Sequence, residues 1–303
     1  MDVLCVGLAV WDISAFIDAY PVENTKVDTQ TLQECPGGPA ANAAGLLARW
    51  GVPVALAATI GRDDYAERIL AELGAGGVDT SLVHSSSVDP TSVSVILVNQ
   101  RAASRTIVNR RAASPADPCR ILARPAWDQP PGVLLLDSHE PAATRDAMTL
   151  YPHARTVLDA GTARPVAVEL ARQVDYLVAS ERFAMQFAGV SDLCAAANRA
   201  AAMRALWQLN RRCVVVTLGE RGLLYGTDES FEYLPAFGVD SIDTTAAGDL
   251  FHGAFAYGVL KALPLAEALR LAAAAAALST TVRGGYASIP ALARAQELQA
   301  HGG

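Results

Sequence analysis

Lysine is almost absent from this sequence: Lys26 and Lys261 are the only two in 303 residues. Neither follows a glycine-rich loop and neither precedes Ser or Thr, which excludes the P-loop nucleotide-binding motif. A Schiff-base mechanism would have to use one of them, and neither stands in a suggestive context. Basic charge is scarce overall. Lys plus Arg total 24 against 31 Asp plus Glu, a net charge of -7, the opposite of the balance a nucleic-acid binder shows. The five cysteines are scattered, with no C-x-x-C pair, so a disulfide framework and a cysteine zinc site are both excluded. No apolar run is longer than residues 271–278, too short to cross a bilayer. The opening Met-Asp-Val-Leu-Cys-Val-Gly reads as a strand rather than a basic leader. The expectation is a reduced, cytoplasmic protein with neither nucleic-acid nor membrane partners. No G-x-G-x-x-G follows the first strand, which disfavours a dinucleotide-dependent dehydrogenase.

What is present is apolar. Hydrophobic residues make up 51% and charged residues 18%, enough for a large core and incompatible with disorder. Residues 3–8 read as a buried strand. Residues 13–17 and 27–32 are more polar and read as an exposed antiparallel pair. A helix is expected over 39–50, behind Gly37-Gly38, then a strand over 54–60 and a helix over 63–73. Residues 92–98 and 105–109 read as a second half-exposed pair, joined by a turn at 100–104. Beyond them, short apolar strands at 133–136, 156–158, 176–178 and 213–217 alternate with helical stretches at 142–150, 166–173 and 195–209. A hairpin follows at 222–225 and 231–234, and two long helices, 247–260 and 264–280, close the chain. Strand alternating with helix predicts an α/β fold with a mostly parallel central sheet flanked by helices. The whole chain, 1–303, reads as one domain, with lid strands inserted at about 13–36 and 91–110. Ligands of such a sheet bind outside the carboxyl ends of its parallel strands.

The chemistry concentrates in Asp243-Thr-Thr-Ala-Ala-Gly-Asp249. Small residues Ala246, Ala247 and Gly248 open a helix whose free N–H groups and dipole suit an anion. A carboxylate beside that anion, Asp249, makes sense if it takes the proton of a hydroxyl attacking a phosphate. Asp249 could also serve only as a helix-dipole partner.

This segment resembles the C-terminal signature of the ribokinase-like (PfkB) carbohydrate kinases. Gly37-Gly-Pro-Ala-Ala-Asn42 resembles their N-terminal signature. Gly7-x-x-x-x-Asp12, Thr217-Leu-Gly219-Glu-Arg-Gly222 and Arg283-Gly-Gly-Tyr-Ala-Ser-Ile-Pro290 fall in family order, so the resemblance spans nearly the whole chain. It implies a Rossmann-like core with a small β lid, and transfer of the ATP γ-phosphoryl to a sugar hydroxyl. By resemblance Asp249 is the base and the N–H groups of Ala246, Ala247 and Gly248 form the anion hole. Asp12, Gly37, Gly38 and Asn42 hold the sugar, with His139 a further candidate contact. Thr217, Gly219, Gly222 and Ser180 belong to the ATP side, with the alanine-rich 271–278 stretch against the adenine. Mg2+ accompanies ATP. A monovalent cation, potassium, is expected between residues 243–245 and 283–288, with Asp243, Thr245 and Ser288 as candidate ligands; an Arg283–Asp243 ion pair is the alternative for that gap. A homodimer through the lid is also implied.

Where the family often has Asn-x-x-Glu, this chain has Ser180-Glu-Arg-Phe183, which leaves Glu181 as the candidate magnesium residue. Ketohexokinase and sulfofructose kinase look similar here, although Asp137-Ser-His139 stands where a sulfonate-binding arginine is expected. Asn109, Arg110 and Arg111, ending a lid strand, face either an anionic sugar or solvent. A nucleoside kinase and a non-catalytic sugar sensor are the competing readings. The low aromatic content, 6%, disfavours base stacking in the first, and the intact Asp249 turn argues against the second.

Overall fold

The computed structural model of the chain describes residues 1–102, 104–111, 116–123, 125–228 and 230–302. Ala103 in the expected lid turn and Glu229 in the expected hairpin turn lie outside them. The first strand, β1 (Val3–Val6), is buried throughout. Val3 and Cys5 enter one apolar cluster, Leu4 and Val6 another, as a period of two requires of a strand covered on both faces. The chain then leaves the main sheet through β2 (Val10–Ile17) and β3 (Leu32–Gly37) and returns through α1 (Pro39–Arg49) to β4 (Val54–Ala57). The 54–60 run expected as one strand breaks at Ala58. Its end, β5 (Thr59–Ile60), turns away and, past α2 (Asp64–Ala75), pairs with β6 (His84–Ser85). A second excursion, β7 (Val93–Asn99) and β8 (Ser104–Arg110), completes the lid.

The alternating part is as expected: β9 (Val133–Leu136), α3 (Pro141–Leu150), β10 (Arg155–Ala160), α4 (Pro165–Ala171) and β11 (Tyr176–Ser180). Next come α5 (Glu181–Ala188), α6 (Ala196–Asn210), β12 (Val214–Thr217), β13 (Leu223–Gly226) and β14 (Glu232–Leu234). The chain closes with α7 (Ala247–Leu260), α8 (Leu265–Thr280) and α9 (Leu292–His301). The eight-stranded sheet runs β14-β13-β12-β11-β10-β9-β1-β4; its last six strands are parallel and the β13–β14 hairpin is antiparallel. From β1 the chain first crosses to β4 on one side and later to β9 on the other, so the strand order reverses between β1 and β9, where a ligand crevice is expected. Helices α1, α2, α7 and α8 cover one face and α3 to α6 the other. The lid is a four-stranded sheet, β3-β2-β7-β8, with β2 and β7 parallel.

Three expectations are corrected. Residues 27–31 are not a strand: Thr29 Oγ1 donates to the carbonyls of Phe16 and Thr31 and closes a polar loop, so β3 starts only at Leu32. It continues through Pro36 because it is the lid's edge strand, where a missing N–H costs no ladder bond. Helix α5 was not expected. Ser180 caps it, accepting from Phe183 N, and Gly189 at φ 68 ends it within eight residues. Helix α9 extends the chain past the two helices expected to close it, and Ala295 is the one side chain it buries, so its sequence carries little periodicity.

Candidate active site

The start of α7 is built to receive an anion. Ala246, its N-cap, adopts φ 62, a left-handed conformation costing a non-glycine residue roughly 1 kcal/mol, and no side chain caps the helix. The N–H groups of Ala246 and Gly248 take no partner among the described residues, while Ala247 N donates to Thr244 O at 3.3 Å and is drawn into the turn. A side chain at Gly248 would meet nothing within 4 Å, so the helix start faces open space.

Asp249 lies in that first turn. Asn42, buried on α1, donates from Nδ2 to Asp249 Oδ2 at 2.7 Å, while Asn42 Oδ1 is buried without a partner. One turn on, His252 places Nδ1 2.6 Å from Gly248 O and 3.3 Å from Asp159 Oδ2 at the end of β10. Burial, and then the Asp159 charge, push Asp249 up to about 7; the Asn42 hydrogen bond, His252 and Arg105 oppose them. Burial likewise pushes Asp159 up, against the pull of His252. A carboxyl near 7 next to free N–H groups can take a proton at neutral pH.

The residues expected to hold the sugar gather at the crevice between β1 and β9. Asp137, at the end of β9, accepts from Leu8 N and Ala40 N on Oδ2, at 2.8 and 3.2 Å, and from His139 N on Oδ1 at 2.9 Å. One buried carboxylate thereby ties β1, β9 and the start of α1 together. Asp12, 6% exposed on β2, faces Gly37 so closely that a Cβ there would fall 2.0 Å from its Oδ2. Gly38, at φ 95, holds the turn into α1. Burial raises Asp12 to about 6, opposed by a hydrogen bond from Ser94.

On the other side of α7 lies a cavity of about 440 Å³. Thr217, Gly219 and Gly222 border it on the sheet side and Ala273, Ala276 and Ala277 of α8 on the helix side. Gly222, at φ 79, cannot be replaced cheaply, because a Cβ would sit 2.2 Å from Leu234 O. Of the 271–278 alanines, Ala272, Ala274 and Ala275 point into the core instead.

The sequence profile of the pfkB family carbohydrate kinases matches residues 1–292. The chain belongs to that family. This kinase is 27% identical to a ribokinase of Bacillus subtilis over 98% of this chain and 99% of the relative. It is 26% identical to a deoxyribokinase of Salmonella typhimurium over 98% of both chains. Among solved structures it resembles a putative ribokinase from Agrobacterium tumefaciens, with TM-score 0.86 and 26% identity over 99% of this chain and 97% of that one. It also resembles the Arabidopsis thaliana ribokinase complexed with ribose and ATP, with TM-score 0.79 and 25% identity over 98% of both chains.

Most of the other expected residues have partners of their own in the kinase. Both oxygens of Glu181 accept from Arg221 Nη2, an ion pair the sequence did not show. Ser180 donates to Gly161 O at 2.8 Å and caps α5, and it does not border the nucleotide-sized cavity. Asp243 accepts from Thr245 N and Gly284 N, at 2.9 and 2.8 Å, and so joins the two loops. The alternative Arg283–Asp243 pair does not form: Arg283 donates to Gln100 Oε1 and lies over Phe16 of the lid. Thr245 Oγ1 is buried without a partner and Ser288 Oγ donates to Gly285 O. Asp159, His252 and Arg105 escaped the sequence reading. Asp159 could have been found as the acid ending a buried strand at the sheet's carboxyl edge. Arg105 gave no such signal: it reaches Thr244 Oγ1 at 2.7 Å only because the lid folds over.

Proposed function

We propose that this kinase transfers the γ-phosphoryl group of ATP to a hydroxyl of a sugar, with Asp249 as general base. The observation that carries this reading is an uncapped helix start, with two free N–H groups, beside a carboxyl raised to about 7. Asp249 takes the acceptor's proton as its oxygen bonds to the γ-phosphorus and the bond to the leaving ADP oxygen breaks. The N–H groups of Ala246 and Gly248, with the dipole of α7, face the charge on the transferring group. Arg105, reaching in from the lid, adds positive charge at the same place. Asp12 and the free Oδ1 of Asn42 accept from acceptor hydroxyls, and the cavity between Thr217 and α8 takes the nucleotide. Mg2+ would enter on the ATP phosphates and supply charge neutralisation. The described residues contain no cluster of three metal-ligating side chains, so the ion would be held chiefly by the phosphates. The loops joined by Asp243, with the unpartnered Thr245 Oγ1, support a potassium site beside the anion hole. The outer lid face supports a homodimer, since Leu32, Val95 and Val108 are exposed there.

The test is ADP release over a panel of sugars by wild type and Asp249→Asn. The variant should lose about 10²–10⁴ in kcat while calorimetry still detects sugar and ATP. Near-wild-type turnover in a native fold would remove Asp249 from the role of base.

A further inference from the structure

Two arginines converge on one histidine at the acceptor end of the cleft. Arg111, just past β8, places Nη1 3.2 Å from His139 Nδ1. Arg164, which leads into α4, places Nη2 3.3 Å from His139 Nε2 and 3.1 Å from Ser138 Oγ. Neither guanidinium has a carboxylate in ion-pairing range among the described residues, whereas Arg68, Arg101, Arg120, Arg145 and Arg221 each do. Asp137, the acid that acts on Arg164, has its oxygens committed to three backbone N–H groups. Burial and the Arg111 charge hold Arg164 below its ordinary range. Burial and both arginines also hold His139 below its ordinary range, against Asp137. Ser138, between Asp137 and His139, sits at φ 65, a strained conformation that a non-glycine residue keeps only where its surroundings impose it.

Unpaired like charges this close repel each other unless an anion lies between them. The transferring phosphoryl group is not that anion. Arg105 is the arginine whose charge acts on Asp249, whereas Arg111 and Arg164 act on His139. None of the three residues borders the nucleotide cavity. They flank the Asp137 junction beside the start of α1, on the acceptor side.

We infer that Arg111, Arg164 and His139 form an anion subsite of the acceptor pocket, and that the acceptor is an acidic sugar bearing a carboxylate, sulfonate or phosphate group away from the reacting hydroxyl. This inference rests on the sugar-kinase reading above. Two guanidiniums offer the paired N–H donors that such an oxyanion accepts.

The experiment compares kcat/KM for neutral sugars and their carboxylate, sulfonate and phosphate counterparts, in wild type, Arg111→Gln, Arg164→Gln and Arg164→Lys. Wild type should favour one acidic class. The acidic-to-neutral ratio should fall about ten- to hundredfold in each Gln variant, the loss of a charged hydrogen bond, and less in Arg164→Lys. Neutral sugars used as well as every acidic counterpart, or a ratio unmoved by the Gln variants, would overturn the subsite. A second readout does not need turnover: inorganic sulfate, against chloride at equal ionic strength, should raise the melting temperature of wild type more than that of Arg164→Gln. Equal shifts would also overturn the subsite. If no sugar supports ADP release yet sulfate discriminates the variants, the sugar-kinase reading fails while the anion subsite stands.

Discussion

Asp249 carries opposing influences in one carboxyl. Burial and Asp159 raise it, while Asn42, His252 and Arg105 restrain the rise. Removing Asn42 therefore has a defined sign. In Asn42→Ala the base keeps its proton to higher pH, so the acidic limb of kcat/KM, expected near 7 in wild type, should move up by about one unit. Activity should fall at every pH through the lost sugar contact, and fall further at pH 7 than at pH 9. A limb that stays in place would mean that Asn42 does not tune the base. At this scale the sequence was legible where chemistry is contiguous. Asp249 and its small-residue turn stand within seven residues of one another, and so do Gly37, Gly38 and Asn42. Asn42 itself was expected only to hold sugar, because its bond to Asp249 crosses the chain. Asp159 and His252 meet only through the packing of α7 on β10, and Glu181 looked free only because its partner Arg221 lies in another loop.

Strands and helices with strong periodicity were legible, and short or featureless ones were not. Strand β1 and the long helices α7 and α8 are dense apolar runs, whereas α5 is eight residues and α9 buries little. The loops before α7 and after α8 illustrate what lies between those cases. The family resemblance suggested an ion site there, and the structure adds that Asp243 links them through two backbone N–H groups. Because that link positions Ala246 and Gly248, a bound potassium ion should act on kcat more than on sugar affinity. Initial rates in potassium, sodium and a bulky organic cation at equal ionic strength should rank potassium first. Equal rates in all three would remove the ion from the mechanism.

At the scale of the molecule, the alternation of strand and helix predicted the sheet, while the lid's pairing was hidden in non-local register. Ile13, Val95 and Val108 form one row across its outer face, and Ala15 and Leu32 stand side by side on the same face. Leu32 and Val108 are each 65% exposed. A second copy packed on this face should give a particle of twice the chain's mass in sedimentation equilibrium, and Val108→Asp should shift it toward monomer. A wild type that sediments as monomer at micromolar concentration would exclude the lid dimer.

The bond between Asn42 and Asp249 spans 207 residues of chain. No fragment of the chain that stops short of α7 therefore holds both the proposed base and the residue proposed to tune it. The lid, the glycines before α1 and all six parallel strands precede Asp249 in the chain. A cut anywhere between β14 and α7 would leave both sheets on one piece and the proposed base on the other, so two such fragments could restore this bond only by reassociating.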